Sequence, residues 1–163
     1  MRMLRIVPVL LLLCIAASAQ SRYCGSIYEQ VASMAEKYRD EKGVKSFVAS
    51  DGLRLQTIKM MLRKEFGKEF VDNIKEFAII LYKDAHSEVV ERIVADVEHI
   101  TTPLQNVNIG TQLNPGAQGQ GYIRLSANEQ RLSDLLIVMD APSPKLIYFG
   151  GNFEANNIKY NNK

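Results

Sequence analysis

Residues 76–82 read Glu76-Phe77-Ala78-Ile79-Ile80-Leu81-Tyr82. After Glu76 the run is apolar or aromatic without interruption. It shows no polar alternation, and it has the length of a strand rather than of a helix. A strand with one face in water alternates. An unbroken run of this length is the signature of a strand covered on both faces.

On either side of this run the period changes. Upstream, Leu53 to Phe66 repeats apolar residues at helical spacing and closes at Gly67. Phe70 to Lys75 is ambiguous, with another short turn of helix as the reading it allows. Downstream, Ser87 suits a helix start, and Val90, Ile93, Val94, Val97 and Ile100 mark a buried stripe ending at Thr101-Thr102-Pro103. Near the start of the chain, Ser26-Ile27-Tyr28-Glu29 has the pattern of a capping box. Ile27, Val31, Met34, Ala35 and Tyr38 follow at helical spacing, predicting a helix over 26–42 with Gly43 as its stop. Val44 to Ser50 predicts a strand, and Asp51-Gly52 a turn.

Beyond Pro103 the helical period disappears. Val107-Asn108-Ile109, Tyr122 to Leu125, Leu135 to Met139 and Leu146 to Phe149 read as four strands joined by polar links. Short polar links favour antiparallel neighbours. The expectation is an α+β fold: a single domain with a largely antiparallel sheet and helices packed on one face.

The first residues belong to a different kind of segment. Met1 to Arg5 is cationic, Ile6 to Ile15 is almost wholly apolar, and Ala17-Ser18-Ala19 precedes Gln20. That order is the order of a secretory signal peptide. The apolar run is too short for a membrane span, which needs about 20 residues. Neither Cys14 after Leu13 nor Cys24 after Tyr23 suits a lipoprotein anchor. The expected division is residues 1–19 as signal peptide, 20–151 as the domain and 152–163 as a polar tail. Cleavage after Ala19 leaves 144 of 163 residues, enough for one core, and no transmembrane span. It also removes Arg2 and Arg5, so the formal charge falls from +2 to zero, which argues against a nucleic-acid partner. Cys14 leaves with the leader. Cys24 then stands alone and is either unpaired or available for an intermolecular disulfide.

The exported leader ending in Ala-Gln, the Glu41-Lys42-Gly43-Val44-Lys45-Ser46-Phe47-Val48 segment and Ile58-Lys59-Met60-Met61-Leu62 occur together here. Leu135 to Asp140 and Leu146-Ile147-Tyr148-Phe149-Gly150-Gly151-Asn152-Phe153 follow. Together these resemble the small exported bacterial proteins grouped as domain of unknown function 4252, or a close relative of that group. The resemblance covers most of the chain after the leader. It implies export and an α+β fold, and it supplies no activity and no site residue.

Chemistry-bearing residues are few. Nucleophilic catalysis through Cys24 would need His86 or His99 beside it, and no spacing places either there. Asp84, His86 and Glu88, or Asp96 with His99, make a thin metal shell against the three or four ligands zinc takes. As a plain helix start and end, these residues suit the helix dipole instead. Glu76, Asp84, Asp134 and Asp140 fall at strand ends, with nothing to pair them. The absence of tryptophan removes the best sugar-stacking platform. The glycines of Gly110 to Gly121 lead into a strand, not a helix, so they read as a flexible hairpin connection rather than a phosphate loop, and this loop is the first surface to test for binding. Arg54, Lys59, Arg63, Lys64 and Lys68 accompany a stripe of Leu55, Ile58, Met61 and Leu62, with Met60 beside it. That is either a core helix with a solvated basic face or a surface for an anionic membrane or acidic partner.

No catalytic, cofactor-binding or metal residue is assigned, and no cofactor is expected. The expected function is an exported, non-catalytic binding or structural module of the bacterial periplasm or cell envelope, whose partner is an unknown protein or envelope component. The rival is an envelope hydrolase with a carboxylate-based or weak metal site.

Overall fold

The computed structural model describes residues 25–107, 118–126, 130–141 and 143–154. Among them the elements run α1 (Ile27–Lys37), β1 (Lys45–Ala49), α2 (Gly52–Phe66), α3 (Lys68–Asp72), β2 (Ile74–Leu81) and α4 (Ser87–Thr101). Then follow β3 (Gln105–Val107), β4 (Gln118–Leu125), β5 (Arg131–Ala141) and β6 (Lys145–Glu154). The strands form one sheet in the order β1-β2-β6-β5-β4-β3, and every neighbouring pair is antiparallel. The fold is α+β.

Local chemistry explains where the helices begin and end. The Ser26 hydroxyl accepts from the Glu29 amide at 3.2 Å, and the Ser26 amide donates back to the Glu29 carboxylate at 2.8 Å. A cap of this kind contributes about 1 kcal/mol. Gly43 turns the chain toward β1 with φ +85°, and a Cβ there would run into the backbone carbonyl of Asp84. Only glycine meets both conditions without strain.

Strand alternation then sorts the apolar residues into two cores. β2 sends Ala78 and Ile80 to one side and Phe77 and Ile79 to the other. β5 divides Leu136 and Val138 from Leu135 and Ile137, and β6 divides Leu146 and Tyr148 from Ile147 and Phe149. On the first side lie α1 and α4, through Ile27, Val31, Met34, Val89, Ile93, Val97 and Ile100. On the second lie α2 and α3, through Leu55, Ile58, Leu62, Phe66, Phe70 and Val71. The expectation that the helices pack on one face is therefore corrected. They cover both faces of the sheet, which is why 77–82 is apolar without alternation.

The second side is dominated by aromatic rings. Phe149 sits 5.4 Å from Phe66, 5.5 Å from Phe70 and 5.5 Å from Phe77, centroid to centroid, and Phe70 stacks on Phe153 at 4.6 Å. The first side is pinned by polar bonds from α4 to the end of α1 and to the turn that follows it. Asp96 of α4 accepts from Lys37 at 2.6 Å and from the Tyr38 hydroxyl at 2.9 Å, while Arg92 donates to Glu41 at 2.8 Å.

Several boundaries differ from the expectation. α1 ends at Lys37, and a turn spans the remaining residues to Gly43. Residues 68–72 are helical. His86, not Ser87, occupies the cap position of α4. Val94 is exposed, and Val89 takes its expected place in the buried stripe. The polar tail cannot begin at 152, because Asn152, Phe153 and Glu154 belong to β6 and Phe153 is buried. The proposed leader, Cys24, Asn108 and Ile109 of the expected strand, residues 110–117 of the Gly-rich connection and residues 155–163 lie outside the described residues.

Candidate functional site

Two regions carry chemistry that the core does not require. The first is a polar row at one end of the α1/α4 side of the sheet. Arg124 of β4, Asp134 of β5, Gly150 of β6 and Glu76 of β2 stand opposite one another in register. Tyr148, one step along β6 on the same side, is 1% exposed. Its hydroxyl donates to Asp134 Oδ1 at 2.7 Å and lies 3.3 Å from Glu76 Oε2.

Two register shifts produce this meeting. One falls between Ile74 and Glu76 in β2, the other between Leu132 and Asp134 in β5. Ile74 and Leu132 belong to the aromatic side, and residues two further on in a regular strand would face the same way. The irregularities instead turn both carboxylates to the opposite side, onto Tyr148. A bulge re-aims a side chain in this way. Gly150 provides the room: a Cβ there would stand 2.5 Å from Glu76 Oε2 and 2.6 Å from the Tyr148 hydroxyl.

The electrostatics follow from crowding two carboxylates on one hydroxyl. Asp134 is satisfied, accepting also from Ser133 at 2.6 Å, with the Arg124 guanidinium 3.7 Å away. Glu76 is held above its ordinary pKa by burial first, and then by the charges of Asp134 and Glu29 against the lowering effect of the Tyr148 hydrogen bond. Tyr148 is pushed far up by burial, then by Asp134 and Glu76, and so keeps its hydrogen. That hydrogen follows the shorter contact to Asp134.

The second region is the outward side of α2. Leu55 is buried, and Ile58, Leu62 and Phe66 are partly buried against the aromatic core. On the other side Leu53 is 86% exposed, Met60 65% and Met61 68%. Met61 therefore leaves the stripe in which its spacing placed it. Three of the five basic residues converge on Asp72 at the end of α3. Arg63 donates to its carboxylate and Lys68 pairs with it, both at 2.9 Å, and Lys59 donates to its backbone carbonyl at 3.2 Å. Lys68 and Arg63 hold the Asp72 carboxyl below its usual range. Pairs this exposed are screened by solvent and add little to stability. Arg54 and Lys64 remain on the exposed surface of the helix.

The remaining candidate residues do not converge. Asp84, His86 and Glu88 are exposed around the start of α4. Asp96 faces Lys37 and Tyr38, and His99 lies in the last turn of α4. Asp140 is exposed near the opposite end of β5 from Asp134, and it adds to the burial that pushes Tyr82 up to about 12. Among the described residues no group of three or more His, Cys, Asp or Glu side chains is placed to hold a metal ion, and no helix is long and apolar enough to cross a membrane. Nothing in the spacing of Tyr148 showed that it links Glu76 to Asp134. The Gly150-Gly151 pair inside an apolar strand was the available hint of a close approach.

No family model, no curated protein and no solved structure matches the chain.

Proposed function

We propose that the protein is an exported, non-catalytic binding module of the periplasm or cell envelope, related to the domain of unknown function 4252 group, and that it binds its partner on the outward side of α2. One observation carries this reading. Leu53, Met60 and Met61 stand in solvent on the helix surface opposite Leu55, Ile58 and Leu62, which already anchor the helix to the core. Large apolar side chains grouped on one exposed helix face mark interaction surfaces. The charge pattern and apolar run of residues 1–15 support export.

The hydrolase reading would draw on Glu76 and Asp134. Both turn onto the Tyr148 hydroxyl, and protein atoms fill the space above Gly150. Those carboxylates support the sheet end rather than a substrate.

N-terminal sequencing of the protein from its native cell is expected to begin at Gln20 in an exported fraction. Met1 retained in a cytosolic fraction overturns the assignment to the envelope. Pull-down of partners with wild type is expected to be lost with Arg54→Glu/Lys64→Glu. Identical partners with that variant remove α2 as the surface. Non-reducing electrophoresis tests the Cys24-linked dimer, for which a dimer band that collapses with reductant is the positive result.

A further inference from the structure

We infer that the outward side of α2 docks on an anionic lipid surface, an inference that rests on the binding reading above and names its partner. At 100° per residue, Leu53, Thr57, Met60 and Lys64 fall along one line of the helix. That line runs opposite Leu55, Ile58, Leu62 and Phe66, the residues that pack on the aromatic core. Met61 and Arg54 flank it on one side and Arg63 on the other. The helix carries Arg54, Lys59, Arg63 and Lys64 against a single acidic residue, Glu65. Arg54 and Lys64 are exposed beside Leu53, Met60 and Met61, so side chains that can enter the acyl region are accompanied by charge that meets headgroups.

Shape and charge select lipid over an acidic protein. The outward side of α2 is a ridge: its three apolar residues are each more than half exposed, and Leu53 is 86% exposed. A protein partner would need a hollow matched to that ridge, whereas a fluid leaflet yields to separate protruding side chains. Methionine is unbranched and adapts to irregular surroundings. Asp72, at the end of α3, is already paired with Arg63 and Lys68, so it adds little repulsion toward headgroups. The helix is also formed and anchored before it meets a surface, so docking carries no folding cost.

Flotation with phospholipid vesicles tests this, using protein purified after export. Wild type is expected to float with vesicles that contain an anionic phospholipid and not with purely zwitterionic vesicles, and binding is expected to weaken as salt is raised. Leu53→Ser/Met60→Ser/Met61→Ser and Arg54→Glu/Lys64→Glu share the wild-type N-terminus, so any contribution from that end cancels. Each is expected to partition about tenfold more weakly or worse, with an unchanged unfolding midpoint. Equal flotation of wild type and both variants overturns the inference. So does flotation with zwitterionic vesicles alone. If wild type fails to float but its pull-down partners are lost with Arg54→Glu/Lys64→Glu, the lipid partner is wrong and the binding module stands. If wild type fails to float and the partners are unchanged, both fail.

Discussion

The two sides of the sheet are built from the same strands and finish differently. On the α1/α4 side the helices are tied to one another by Lys37, Tyr38 and Asp96 and by Arg92 and Glu41, and the open end is closed by Glu76, Tyr148 and Asp134. On the α2/α3 side, rings around Phe149 supply the cohesion, and α2 turns leucine and methionine to solvent. The difference teaches a division of labour. One side spends its polar groups on closure. The other is held from beneath by aromatic contact, which leaves its outer surface free of structural duty.

That contrast can be broken most forcefully at Phe149. Phe149→Ala removes the ring shared by Phe66, Phe70 and Phe77, and is expected to cost about 3–5 kcal/mol in chemical denaturation. A loss below about 1 kcal/mol would show that the aromatic side does not depend on that ring. On the other side Tyr148→Phe keeps the shape and removes the hydroxyl. The expected loss is about 1–3 kcal/mol, because Asp134 keeps Ser133 but loses the buried Tyr148 hydroxyl as a donor.

Glu76→Gln sharpens the comparison with a smaller effect. The folded state holds the Glu76 proton more tightly than the unfolded chain, because burial and neighbouring carboxylates raise its pKa. Between the ordinary carboxylate value and the raised one, the native state therefore binds more protons than the unfolded state, and stability falls as pH rises through that window. Glutamine cannot ionise and can donate to the Tyr148 oxygen. The variant should lose this part of the pH slope and be more stable than wild type at neutral pH. Urea midpoints across acidic to neutral pH read this directly, and an unchanged slope would remove Glu76 as the proton holder. The smallest effect belongs to α2: Leu53→Ser/Met60→Ser/Met61→Ser should change stability by no more than about 0.5 kcal/mol. A larger loss would mean that these side chains serve the fold.

Much of the fold was legible because strand and helix periods are local properties. The capping box at Ser26 and the helix ending at Gly67 lie where the sequence placed them, and the strand at 77–81 does too, although β2 starts at Ile74 and ends before Tyr82. The run at 77–82 already implied cover on both faces. The inference that placed the helices on one face came from their clustering early in the chain, and chain order does not determine side. The polar row was not legible. Glu76 and Asp134 are 58 positions apart in the sequence, and their shared direction depends on irregularities at Ile74/Glu76 and Leu132/Asp134. Extrapolating strand alternation from Ile74 and Leu132 sends both carboxylates to the wrong side. On α2 the basic residues were visible, but Met61 was misplaced. Spacing alone puts it at the margin of the buried stripe, and only the seat of Leu55 and Leu62 on the core decides that it faces out.

The division between a closed side and a contacting side is tested most directly by photocrosslinking in living cells, with the same photoreactive residue placed at Met60 of α2 or at Val94, the exposed apolar position of α4. Adducts formed from position 60 and absent from position 94 are the predicted result. Adducts from position 94 with none from position 60 would contradict it.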